Sequence, residues 1–106
     1  DQIGTPTYAP DLARAAVELA LSGKQGVFHV AGSEAVDRYA FAVHAAEVFS
    51  LDSNLIRGIP TSSLGQTAPR PLRGGLNIAK ASSQLSFELR SYRAGLQNMY
   101  QTAGSI

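Results

Sequence analysis

The residues with a visible chemical purpose are arginines. Between Asp52 and Glu88 there is no carboxylate, so Arg57, Arg70, Arg73 and Lys80 have no local acid to neutralise them. Arg70 lies in Ala68-Pro69-Arg70-Pro71-Leu72-Arg73, where two prolines restrict the backbone and lower the cost of holding a guanidinium in place. That fork matches two oxygens of a phosphate or carboxylate, which points to an anionic small ligand. The alternative is that these cations face water or pair with acids elsewhere in the fold. Thr5-Pro6-Thr7-Tyr8 offers hydroxyls to a sugar or nucleotide, or a cap to the helix that follows.

Bond-breaking machinery is sparse. There is no G-x-G-x-x-G after a strand, no phosphate loop with its lysine, no H-E-x-x-H and no G-x-S-x-G elbow. None of the four tyrosines is followed by a lysine four residues later, the spacing that lets a tyrosine exchange a proton with a carbonyl. Cysteine is absent, which removes disulfides, zinc–thiolate sites and thiol nucleophiles. His29 reads as a buried strand residue and His44 as a solvated helix residue.

The elements that must position these groups follow from periodicity. Residues 1–10 read as extended, with Pro6 and Pro10 holding the chain out of helix. A helix is expected from Asp11 to a stop at Gly23, with Leu12, Ala15, Ala16, Leu19 and Ala20 apolar and Val17 and Leu21 widening that face. Only Arg14, Glu18 and Ser22 remain as a polar strip. Gly26–Gly32 reads as a buried strand, Arg38–Phe49 as a second broadly apolar helix capped by Asp37, and Leu55–Ile59 as a short strand. A proline-rich loop runs from Pro60 to about Gly75. A short helix capped by Asn77 and a last helix from Glu88 to Gln101 close the chain, the latter with Leu89, Tyr92, Leu96 and Met99 at helical spacing and Gly95 as its weak point.

At 106 residues, 44% apolar and 16% charged, the chain has the length of one globular domain and cannot form two cores. The net charge of +1 hides a division: residues 1–52 carry seven acids against three bases, and residues 53–106 one acid against six. Such spread cations do not form a nucleic-acid stripe, and no apolar run is long enough to span a membrane. A cytoplasmic location fits the lack of cysteine. Two helices that are apolar nearly all round offer more hydrophobic surface than so short a chain can bury, which implies a partner, either another domain of a longer parent or a second copy. The fold class expected is mixed α/β, with about four helices and two or three short strands.

Asp1-Gln2-Ile3-Gly4-Thr5-Pro6-Thr7, Asp11-Leu12-Ala13, Gly26–Gly32, Arg38-Tyr39, and Ala68–Pro71 with Leu76-Asn77 and Lys80, taken in that order, resemble the C-terminal part of dTDP-4-dehydrorhamnose reductases. These belong to the extended short-chain dehydrogenase/reductase superfamily. The resemblance implies that residues 1–106 are the substrate-binding domain of a Rossmann-type reductase. The N-terminal domain that binds NADPH or NADH and carries the catalytic Thr/Ser, Tyr and Lys would precede Asp1, so no cofactor is expected on this chain and it would be inactive alone. It also implies a dTDP-linked sugar as ligand, reduced at its 4-keto group, and allows a homodimer. Gln2, Thr7 and Arg70 are the substrate-side residues it suggests. Arg73 and Gly74 stand where the family usually has asparagine and serine, and Asn77 where aspartate is common, which leaves the sugar open. The competing readings are a non-catalytic interaction module, like the regulatory subunit of methionine adenosyltransferase, and part of another nucleotide-sugar epimerase or dehydratase.

Overall fold

A computed structural model describes residues 1–103. Strand β1 (Ile3–Gly4) pairs antiparallel with β2 (Val36–Asp37), Ile3 opposite Asp37 and Gly4 opposite Val36. Four helices complete the α/β unit: α1 (Ala9–Leu21), α2 (Arg38–Val48), α3 (Ala79–Gln84) and α4 (Tyr92–Thr102). Two 3-10 turns, Ser53–Leu55 and Thr61–Ser63, punctuate the long connection after α2. Along its other edge β1 takes in the proline-rich loop: Ile3 N donates to Leu72 O at 2.8 Å and Gly74 N donates to Ile3 O at 2.8 Å.

The mixed class and element number match expectation, but both strands lie elsewhere than expected. Gly26–Gly32 is no part of a ladder, and two of its backbone groups are taken by side chains. Lys80 Nζ donates to Val27 O at 2.8 Å and sits 4.5 Å from the Phe28 ring centroid, while Gly32 N donates to Thr7 Oγ1. Val27 and His29 are consequently exposed, and only Ala31 and Gly32 are buried. Leu55–Ile59 is likewise no strand. Asp52 accepts from Asn54 N, turning the chain into a 3-10 turn before it can extend.

Helix α1 ends as read, with Gly23 at φ +73, but much of its apolar face is left exposed. Asp11 and Ala15 are buried, whereas Leu12, Val17 and Leu21 are 44, 59 and 83% exposed. Asp11, Arg14 and Glu18 instead tie the helix to the rest of the chain. Asp11 Oδ2 accepts from Arg90 N at 2.9 Å and its Oδ1 from Arg90 Nη1 at 2.7 Å. Two turns later Glu18 accepts from both the amide and hydroxyl of Ser86, and the Arg14 guanidinium lies 4.1 Å from the Phe87 centroid. Thr7 does not cap α1; its hydroxyl donates to Thr5 O.

A bond to a distant segment marks where α4 begins. Arg90 O accepts from Ser33 N, so it is not free for the intrahelical bond a helix starting at Glu88 would ask of it. Ser91 caps α4 instead, accepting from Ala94 N. Leu89, Tyr92 and Leu96 of the apolar face are buried, and Met99 at its end is half exposed. Gly95 is a contact point and not a weakness, since a Cβ there would stand 3.0 Å from Tyr8 Cβ. Tyr8 in turn donates from its hydroxyl to Asn98 Oδ1. Helices α2 and α4 pack through Phe41 and His44, each 5.7 Å from Tyr92, and through Phe49 edge-on to Tyr100. His44 is therefore half-buried against an aromatic ring, while His29 is the solvated histidine.

Asp37 caps α2 as expected, accepting from Ala40 N at 2.8 Å. Asp37→Ala should cost about 1 kcal/mol, read as a lower urea midpoint with an unchanged slope.

The result is a slab of 46 × 38 × 19 Å with a radius of gyration of 15.9 Å, against about 13 Å for a compact chain of this length. Among the described residues no large side chain is fully buried. Much of the slab is held by single side chains reaching across to distant backbone amides: Asp1 to Thr61, Thr5 to Leu76, Thr7 to Gly32, Asp11 to Arg90 and Glu18 to Ser86.

Candidate binding groove

The β1–β2 register brings the N-terminus of the chain beside the start of α2, and the Leu72 and Gly74 bonds bring the proline-rich loop against the other edge of β1. Between them lies an open groove of about 670 Å³, within the size range of small-molecule sites. Gln2 and Arg38 stand on one side, Arg70 and Pro71 on the other, with Thr5 and Phe41 among the residues between.

Gln2 is tethered at both ends. Its carbonyl accepts from Arg38 N at 3.2 Å and its amide donates to Gln66 Oε1 at 3.2 Å. Arg38 and Arg70 are not buried, and among the described residues no carboxylate comes within 4 Å of either. Asp37 also lines the groove, but one of its carboxylate oxygens is held by the α2 amide of Ala40. The groove therefore carries two guanidiniums without an ion pair and one carboxylate, Asp37, bonded to a helix amide.

The structure brings Gln2 and Arg70 together and leaves Thr7 outside. Thr7 lines a neighbouring crevice of about 50 Å³ with Tyr8, Phe41, Tyr92 and Leu96, and its hydroxyl is used by Thr5 O and Gly32 N. The acid-free stretch divides as well. Lys80 is occupied by Val27 and Phe28, Arg73 bridges Ile3 through its backbone, and Arg57 lines a second hollow of about 200 Å³ beside Tyr39. Pairing across the charge division is real for Arg90 with Asp11 and for Arg93 with Glu34 at 3.3 Å, and not for Arg57, Arg70 or Arg73. Arg38 was visible in sequence only as part of the Arg38-Tyr39 pair. Its place in the groove depends on a two-residue ladder that periodicity cannot reveal.

A dinucleotide cofactor does not fit the described residues. They hold no parallel strand–helix–strand crossover, and no glycine-rich turn leads into a helix. Nor do they contain a group of three or more His, Asp or Glu side chains able to hold a metal ion, and no described helix is long and apolar enough to cross a membrane.

Fold and groove define a small α/β binding unit that presents a basic, open cleft on one side and uncovered apolar helix surface on another. The chain belongs to the RmlD substrate binding domain family, whose sequence profile matches residues 1–105. It is 32% identical over 105 residues to the spore coat polysaccharide biosynthesis protein SpsK of Bacillus subtilis, covering 99% of this chain and 36% of that protein. It is 32% identical over 97 residues to dTDP-4-dehydrorhamnose reductase of Mycobacterium tuberculosis, covering 91% of this chain and 32% of the reductase. Methionine adenosyltransferase 2 subunit beta of Xenopus laevis is 28% identical over 97 residues, covering 87% of this chain and 29% of that protein. The fold matches the crystal structure of dTDP-4-dehydrorhamnose reductase from Bacillus anthracis in complex with NADP, at a TM-score of 0.83 and 22% identity over 94% of this chain and 35% of that one. The chain thus spans about a third of the length of these relatives.

Proposed function

We propose that this chain is the substrate-binding domain of a dTDP-4-dehydrorhamnose reductase, which reduces the 4-keto group of dTDP-4-dehydro-L-rhamnose with NADPH or NADH in the formation of dTDP-L-rhamnose. The observation that carries the reading is the groove with its unpaired guanidiniums, in a chain whose family is that of a substrate-binding domain. Arg70 meets the diphosphate, its flanking prolines limiting the entropy lost on binding. Gln2 supplies an amide at the groove wall, and Thr7 holds the Gly32 crossing that underlies it. The hydride donor, its Rossmann domain and the proton-transfer residues belong to the rest of a cytoplasmic parent chain. The exposed leucines and valine of α1 support a neighbouring domain as their cover.

The test has two parts. Titrating the 15N-labelled chain with dTDP-rhamnose should shift amides around Gln2 and Arg70, and Arg70→Gln should weaken binding about tenfold, the worth of one charge-assisted hydrogen bond. The chain alone should leave NADPH unoxidised in the presence of the 4-keto sugar nucleotide, and turnover by it would overturn the division of labour. A second reading, an interaction module, is supported by the same bare α1 surface and by the likeness to the methionine adenosyltransferase subunit. Concentration-dependent association with no response to the nucleotide sugar would favour it.

A further inference from the structure

Arg38 occupies a position that the isolated fold does not reward. It is the first residue of α2, where the aligned peptide dipoles present their positive end, and the first turn of that helix contains no acid. The adjacent carboxylate, Asp37, is bound to Ala40 N, and no other described carboxylate lies within reach. The Arg38 backbone is fixed by its own amide, which donates to Gln2 O at the end of the β1–β2 ladder and so sets the residue on the groove wall. Its groove is the one into which the Pro69-Arg70-Pro71 loop brings a second guanidinium. Two guanidiniums that line one groove, one of them at a helix N-terminus and neither within 4 Å of a carboxylate, are matched by an anion bearing at least two negative charges.

We propose that Arg38 is a second phosphate-binding residue, acting with Arg70 as a pair that selects a diphosphate over a single phosphate. The inference rests on the substrate-binding reading above and names the residue on the α2 side that completes the site. Arg38 binds one phosphoryl group and Arg70 the other, so each contributes separately and neither alone distinguishes one phosphate from two.

Inorganic pyrophosphate tests this without the sugar or base. Calorimetric titration of the full protein chain should show pyrophosphate binding at least tenfold more tightly than orthophosphate. Arg38→Gln and Arg70→Gln should each weaken pyrophosphate about tenfold and erase most of that preference, and Arg38→Lys should recover only part of it. Arg57→Gln, in the separate hollow, should bind as the parent does. Without ligand, Arg38→Gln should melt no lower than the parent, since it removes a charge the helix opposes, whereas a merely structural Arg38 would lower the melting temperature. Unchanged pyrophosphate affinity in Arg38→Gln, or equal affinity of the parent for phosphate and pyrophosphate, would overturn the inference. If pyrophosphate binds through both arginines while dTDP-rhamnose gives no shifts, the sugar-nucleotide reading fails and the diphosphate pair stands. If dTDP-rhamnose binds but pyrophosphate ignores the two arginines, the pair fails and the sugar-nucleotide reading stands.

Discussion

Gly32→Ala is expected to destabilise the domain by about 3 kcal/mol or more, the upper range for forced overpacking. A Cβ at residue 32 would fall inside the van der Waals envelope of the Pro6 carbonyl oxygen, with Pro6 C at 3.1 Å and Arg90 O at 3.4 Å. The obstacle is backbone on both sides, so no flexible side chain can swing away. Both neighbours are also fixed: Gly32 N donates to Thr7 Oγ1 and Ser33 N donates to Arg90 O. For a domain of this size the loss corresponds to a melting temperature lower by on the order of 15 °C, readable by circular dichroism. An unaltered melt would mean that the 5–8 segment can move away from 31–33 at little cost.

The second large effect is expected at Asp11. Its side chain is 8% exposed and satisfies two donors of one residue, the amide and the guanidinium of Arg90. Asp11→Ala orphans both. The Arg90 side chain is 42% exposed, so water rehydrates its charge and the full penalty of breaking a buried pair does not apply. The part-buried amide is less easily rehydrated, and about 2–3 kcal/mol is expected in all. Asp11→Asn keeps an oxygen for the amide and should lose about 1 kcal/mol. A double-mutant cycle with Arg90→Ala should then give a coupling energy of about 1 kcal/mol or more, and additivity would show that the contact adds nothing to stability.

The helices were legible because their signals are local. Asp37 before an apolar run, Pro10 and Asp11 in a first turn and Gly23 as a stop all operate within four or five residues, and the chain obeys them. Structure departs from sequence pattern where a distant group decides the outcome. Gly26–Gly32 has the composition of a strand, yet Lys80 and Thr7, 53 and 25 residues away, bond its backbone instead of a neighbouring strand. Helix α4 starts at Tyr92 and not at Glu88, since the carbonyl of residue 90 is bonded to Ser33 N, 57 residues away. The groove was half legible: Arg70 stood out through its prolines and missing acids, while Arg38 entered through the pairing of Ile3 with Asp37, two residues long and silent in periodicity.

The bonds from single side chains to distant amides carry a consequence for how this sequence can vary. In a sheet each strand pairing is shared among several backbone groups, and any one residue can drift. Here Asp1, Thr5, Thr7, Asp11 and Glu18 each bond a distant piece of loop or helix end through one side chain. A saturation library read for protein abundance should therefore invert the usual map. Polar positions near the N-terminus would tolerate few replacements, while Val17, Leu21, Leu51 and Leu55, large and apolar but facing outward, would accept most of them.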